Sequence, residues 1–220
     1  MTPNRRATGR QTGNGTGDLW LVRHGETEWA RLGRHTGRTD VPLTEEGRAQ
    51  ARELGGRLAG HGFGLVLTSP LARASDTASL AGFGSTAVAD PDLMEWDYGD
   101  FEGRLTADIR ADYPGWTIWR GPWPGGETIA QVAARADRII ARVRSQANGG
   151  DVLVFAHGHL IRVLAARWLG LAPVSGGLFA LGTGTVSVLG WEHGAPVVQT
   201  WNELCQPAHA IQGPGRAAGG

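Results

Sequence analysis

The sequence predicts an α/β fold, a three-layer α/β/α sandwich around a mostly parallel central sheet. Three observations predict it. Short apolar runs at Leu19–Val22, Leu65–Leu67 and Val152–Phe155 do not alternate with polar residues, the pattern of strands covered on both faces. A helical pattern adjoins each run, and strands alternating with helices build parallel sheets. The length, 220 residues, suits one domain.

Each element then has its own signal. Residues 1–17 (MTPNRRATGRQTGNGTG) are polar and Gly/Thr-rich and are expected to be a tail, because they bury too little to offset the entropy of ordering. The same holds for 207–220, which leaves one domain over 18–206. After the first strand, Thr44 is an N-cap with Glu45 and Glu46 in the first turn, predicting a helix to about Ala59. After the second, Ser69-Pro70 reads as an N-cap followed by Pro at the first helical position. Ile129, Val132, Ala133, Ala136, Ile139, Ile140 and Val143 keep helical spacing and predict a long amphipathic helix. Another helix is expected over Leu160–Leu169. Strands near Thr185–Leu189 and Pro196–Thr200 close the sheet.

Composition excludes several classes. The chain carries 21 basic and 21 acidic residues, with formal charge zero, so the basic footprint of a nucleic-acid binder is missing. Every basic residue is Arg, and there are 35 Gly, which reads as compositional bias rather than function. The single Cys205 rules out an intramolecular disulfide and a cysteine metal cluster. The apolar runs are far shorter than the ~20 residues of a membrane span. The N-terminal segment has no apolar stretch of the secretory kind. A cytoplasmic, reducing location is expected, with no membrane and no nucleic-acid partner; a homodimer remains open.

The chemistry sits where the strands end. The first runs into Arg23-His24-Gly25-Glu26-Thr27, the second into Thr68-Ser69-Pro70-Leu71-Ala72-Arg73, and the third into Ala156-His157-Gly158-His159. Ligands of open α/β sheets bind at the carboxyl ends of strands, so two His and two Arg converge on one edge. Arg offers planar bidentate donors to phosphate oxygens. His157 precedes a helix, whose N-terminal N–H groups are a further anion site. A His beside fixed positive charge is held below the ~6.5 reference, and a neutral imidazole is a nucleophile.

Leu21-Val-Arg-His-Gly-Glu-Thr resembles the signature of the histidine phosphatase superfamily, with its phosphoglycerate mutase-like fold. The pieces also follow in that family's order: Gly37-Arg-Thr-Asp-Val-Pro-Leu-Thr-Glu-Glu-Gly47, Ser69-Pro-Leu-Ala-Arg73 with Thr77-Ala78, Glu95-Trp-Asp-Tyr-Gly-Asp-Phe-Glu-Gly103, Gly126-Glu-Thr128 and His157-Gly-His159. The resemblance covers about Leu19 to Trp201. It implies that His24 becomes phosphohistidine, that Arg23, Arg73 and His157 complete a phosphate pocket, and that Glu95 gives its proton to the leaving oxygen and then activates water. Such a Glu95 starts protonated, which implies an acidic-to-neutral optimum. Thr36, just before Gly37, is similar to a phosphate-touching position. Ala30 departs from the pattern, since many members carry Asn there.

The same resemblance implies no cofactor and no metal, cationic side chains taking the metal's place. His157 and His159 form an H-x-H pair without an evident third ligand. Trp96 and Tyr98, beside Glu95, are candidates for the substrate side. Tyr113–Gly126 (YPGWTIWRGPWPGG) cannot form a long helix and lies where the family has a flap. Its Trp residues either stack on the organic part of the substrate or pack the flap onto the domain, and Arg120 is a candidate for reading a second anion. His35 is a candidate pocket residue; His61, His193 and His209 read as ordinary surface or loop residues, and Cys205 as inert. The chain is short for a cofactor-dependent phosphoglycerate mutase. The stretches HTGRTD, EWDYGDFEG and WTIWRG look most like the bacterial acid-phosphatase and fungal sedoheptulose-bisphosphatase branches. The expected activity is hydrolysis of a small phosphorylated metabolite, a sugar phosphate among the candidates. The alternatives are a phosphoglycerate mutase or a non-catalytic phosphate-binding module.

Overall fold

The computed structural model describes residues 17–146 and 150–204. The predicted tails, Cys205 and His209 lie outside the described residues, Gly17 apart. The sheet has six strands: β1 (Leu19–Arg23), β2 (Leu65–Thr68), β3 (Val88–Ala89), β4 (Val152–Ala156), β5 (Thr185–Glu192) and β6 (Ala195–Leu204), in the order β3-β2-β4-β1-β5-β6. β3, β2, β4 and β1 run parallel, and β5 and β6 are antiparallel additions. The helices are α1 (Glu28–Arg31), α2 (Glu45–Leu58), α3 (Ala72–Leu80), α4 (Thr106–Asp112), α5 (Ile129–Arg144) and α6 (Gly158–Trp168).

The unbroken apolar strands are explained by two cores, one on each face. Leu19, Leu21, Val152 and Val154 pack with α5 and α6, around Val132, Ile139, Leu160 and Leu164. Trp20, Val22, Leu153 and Phe155 pack with α2 and α3, around Leu54, Leu58 and Ala78. Successive side chains of a strand point to opposite faces, so each four-residue run feeds both cores. Beyond the last apolar pair, the same alternation distributes the site residues.

Most helix signals are met. Thr44 accepts from Gly47 N and starts α2. Thr128 and Gln131 form a capping box at the start of α5. The Ser69-Pro70 reading is corrected. Ser69 extends the β2 edge by donating its N–H to the Phe155 carbonyl, and α3 starts only at Ala72, with no side-chain cap from Leu71. The Asp40 carboxylate, 32 residues earlier, takes the free Ala72 N–H at 2.8 and 3.1 Å. α6 begins two residues before the expected Leu160. The two closing strands are longer than expected and form a hairpin through His193-Gly194, both at positive φ, the geometry of the two-residue hairpin turns that match strand twist.

The loop leaving β1 is tied down at close quarters. A Cβ on Gly25 would lie 2.2 Å from the Gly47 carbonyl oxygen, and one on Gly47 would lie 2.1 Å from that of Glu26. Only glycine at both positions lets the first turn of α2 touch this loop.

Candidate active site

His24 follows β1 directly. It is 4% exposed, and its backbone N–H donates to the Ala156 carbonyl of β4. Its Nδ1 lies 2.7 Å from the Gly25 carbonyl oxygen. A carbonyl only accepts, so the proton is on Nδ1 and the Nε2 lone pair is free. Burial holds the imidazole well below its ordinary pKa, and the charges of Arg73 and Arg23 push the same way. The sequence reading had the direction right but named charge alone, whereas burial is the larger cause.

Arg23 lies on the other face. Its guanidinium passes against α6, where a Cβ on Gly158 would stand 3.3 Å from Cζ. Nη1 donates to the Leu181 carbonyl, while the buried Nε has no partner among the described residues. A buried donor without an acceptor is costly, and the Arg23 side chain borders a cavity of about 280 Å³ that His24 also lines.

Arg73 and His157 do not line that cavity; both are fully buried behind it. Arg73 Nε donates to His157 Nδ1 at 3.1 Å, so the His157 proton is on Nε2, which donates to Ser69 Oγ at 2.7 Å. Arg73 also donates to the carbonyls of Thr36, Gly37 and Thr39. The two rings, His24 and His157, lie with centroids 5.2 Å apart. Burial, then Arg73, holds His157 neutral as well. The pair packs behind His24, its donors turned to Ser69 and to the carbonyls of Thr36, Gly37 and Thr39.

Glu95 lines the cavity and is buried. Its carboxylate accepts from the N–H groups of Trp96, His159 and Leu160. It therefore takes the α6 N-terminus that the sequence reading offered to an anion from outside. Arg135 fixes its main chain, donating to the Met94 and Glu95 carbonyls while pairing with Glu127.

The expected substrate-side residues divide. Thr36 and Tyr98 line the cavity, and Ala30 adds a methyl group where an amide was expected in relatives. Gly37 is buried off the wall; its N–H donates to Glu102. Trp96 is 0% exposed and donates Nε1–H to the Glu127 carbonyl, so it is a core residue and not a substrate contact. Arg120 is exposed and outside the cavity. The flap Trp residues pack: Trp116 belongs to the core, and Trp119 and Trp123 lie against it.

The structure adds residues that the sequence reading had not assigned. His159, Arg162 and Arg34 line the cavity, and so does His35, the pocket candidate of the sequence. Tyr98 OH lies 2.6 Å from His159 Nδ1. Burial raises the Tyr98 hydroxyl well above its ordinary pKa, so it is protonated and donates, which puts the His159 proton on Nε2. The signal for Arg162 was its position five residues after His157, on the helix that opens at the strand end. Among the described residues no group of three or more His, Cys, Asp or Glu is placed to hold a metal ion, and no helix is long and apolar enough to cross a membrane.

A fixed neutral imidazole and a buried guanidinium with one unpartnered N–H, both lining a cavity at the carboxyl edge of a parallel sheet, define the class: an α/β protein with a strand-end site suited to an anion. Residues 19–204 match the model of the histidine phosphatase superfamily (branch 1), and the chain belongs to this family. It is 45% identical over 179 residues to an acid phosphatase of Mycobacterium tuberculosis, covering 80% of this chain and 87% of that one. It is 37% identical to the sedoheptulose 1,7-bisphosphatase of Saccharomyces cerevisiae, covering 69% of this chain and 67% of that one. The solved structure of a Mycobacterium tuberculosis open reading frame superposes with a TM-score of 0.82 at 40% identity, covering 86% of this chain and 99% of the other.

Proposed function

We propose that the chain is a phosphomonoester hydrolase that acts on a small phosphorylated metabolite, sugar phosphates included, through a phosphohistidine at His24. The observation that carries the reading is the His24 ring itself: Nδ1 is committed to the Gly25 carbonyl, and Nε2 is left as the nucleophile in a cavity that Arg23 also lines. In the first step Nε2 attacks phosphorus, the ester P–O bond breaks, and Glu95 gives its proton to the leaving alkoxide. In the second, water attacks phosphorus, its proton goes to Glu95, the N–P bond breaks, and phosphate departs. Arg23 binds the equatorial oxygens and stabilises the charge that develops there. Arg73 and His157 hold the loop 36–39 and the nucleophile in register from behind. The acid phosphatase and sedoheptulose bisphosphatase relatives support the reading. Metal independence is part of the proposal: guanidinium groups supply the cationic stabilisation.

The test is a quench experiment with a 32P-labelled phosphomonoester. An acid-labile, alkali-stable phosphoenzyme is expected, absent in His24→Ala, with turnover unaffected by EDTA. Near-wild-type turnover by His24→Ala overturns the mechanism, and loss of turnover in EDTA overturns metal independence.

A further inference from the structure

Three guanidinium groups line the cavity, those of Arg23, Arg34 and Arg162, and each is anchored by a backbone carbonyl rather than a carboxylate: Leu181, Gly103 and Gly176. Elsewhere arginines such as Arg135 and Arg167 pair with Glu127 and Asp137. Among the described residues Glu95 is the one carboxylate lining the cavity, and its oxygens accept from backbone N–H groups. The histidines add no charge near neutral pH, because burial lowers His24 and His159 well below the ordinary value and His35 to about 4. One phosphate held by Arg23 leaves the guanidiniums of Arg34 and Arg162 with carbonyl anchors and no carboxylate hydrogen-bonded to them among the described residues.

Arg162 is the less exposed of the two remaining cations. Its Cζ stands 4.6 Å over the Trp119 ring, and Nε donates to Gly176 O at 3.1 Å. Glycine at 176 and 177 makes this seat possible, since a Cβ at Gly176 would meet the Trp119 ring at 2.7 Å. The surroundings fix the side chain without neutralising it, which is preorganisation for an anion. His159 Nε2–H borders the same wall. Arg162 lies four residues along α6 from Gly158, against which the Arg23 guanidinium packs, a separation of about 6 Å along the helix axis.

We infer that Arg162, with His159 beside it, reads a second anionic group on the substrate, a phosphate or a carboxylate at the far end of a small phosphomonoester. The inference rests on the phosphatase reading for which end reacts, but its test does not need turnover. Dissociation constants are measured by titration calorimetry on the His24→Ala protein at constant ionic strength. The ligand pairs are glucose 6-phosphate against glucose 1,6-bisphosphate, and glycerol 3-phosphate against 3-phosphoglycerate. The second-anion member of at least one pair is expected to bind about tenfold tighter or more, the discrimination of one charge-assisted hydrogen bond; which pair shows it tells phosphate from carboxylate. Arg162→Gln is expected to bring the ratio within about threefold and Arg162→Lys to restore part of it, while Arg138→Gln, which alters an exposed cation paired with Asp92, leaves the ratio unchanged. If Arg162→Gln does not fold, Arg162→Lys is the deciding variant, and a ratio unchanged from that of the parent protein overturns the inference. Equal binding within each pair, no binding of any of the four, or a preference that survives Arg162→Gln overturns the inference. An intact preference without phosphate release by the wild-type enzyme overturns the phosphatase reading instead.

Discussion

Acidification should destabilise this protein well above the range where carboxylates titrate. His24, His35, His157 and His159 all have pKa values lowered by burial as the first cause. A histidine whose pKa falls on folding binds fewer protons in the native chain than in the unfolded one. Its share of stability is complete above the unfolded value near 6.5 and is lost as the pH falls toward the native value. For His35 that window runs from about 6.5 down to about 4. At pH 5.5 the unfolded ring is about nine-tenths protonated and the native ring almost wholly neutral, which costs at most about 1.4 kcal/mol. Partial solvent access reduces this to about 1 kcal/mol, or roughly 2–4 °C in Tm for a chain of this size. The three more deeply held rings act in the same direction. The assay is thermal unfolding by circular dichroism from pH 7.5 to 5.5 at constant ionic strength, for wild type and His35→Gln. Tm should fall across this range, and fall less steeply in His35→Gln. A Tm that is flat or rising from pH 6.5 to 5.5 would refute the burial argument; an unchanged slope in His35→Gln would refute its assignment to His35.

Three further outcomes follow from single contacts. Asp40→Ala removes the remote cap of α3 and should cost about 1 kcal/mol, read as a lower urea midpoint with unchanged m-value. Ser69→Ala leaves the buried His157 Nε2–H without its acceptor; it should cost about 1–3 kcal/mol and lower kcat, which steady-state kinetics and urea unfolding measure together. Trp96→Ala empties a fully buried site in the core and should cost about 3–5 kcal/mol by the same unfolding measurement; a rise in KM at unchanged stability would restore it as a substrate contact.

The fold was legible where burial alone dictates sequence. Leu19–Val22 and Val152–Phe155 are covered on both faces, so no polar residue interrupts them and the strands stand out. The start of α3 was not legible, because its cap comes from Asp40 in a distant loop while Ser69 is spent on the sheet and on His157. The site was legible as a set of residues at strand ends but not as a surface. Sequence shows that Arg73 and His157 arrive at the same edge; only packing shows that they turn toward each other and toward main-chain carbonyls. Arg162 was missed for the converse reason. Its partners are an indole and the carbonyls of two glycines, and no charge pattern in the chain marks it.

Strand alternation also divides the chemistry between the two faces of the sheet. His24 and His157 continue the register of Val22 and Phe155, toward the α2/α3 core, where Arg73 of α3 meets His157. Arg23 continues the register of Leu19 and Leu21, toward α6, where Gly158 makes room for it and Glu95 receives the helix N-terminus. On the proposed mechanism, Arg73 and His157 behind the nucleophile thus belong to one layer, and Arg23, Glu95 and Arg162 belong to the other. On that mechanism a change in α3 is expected to act first on His24, and a change in α6 first on substrate preference. A sheet edge of this kind lets substrate preference diverge in one layer while the nucleophile stays held by the other.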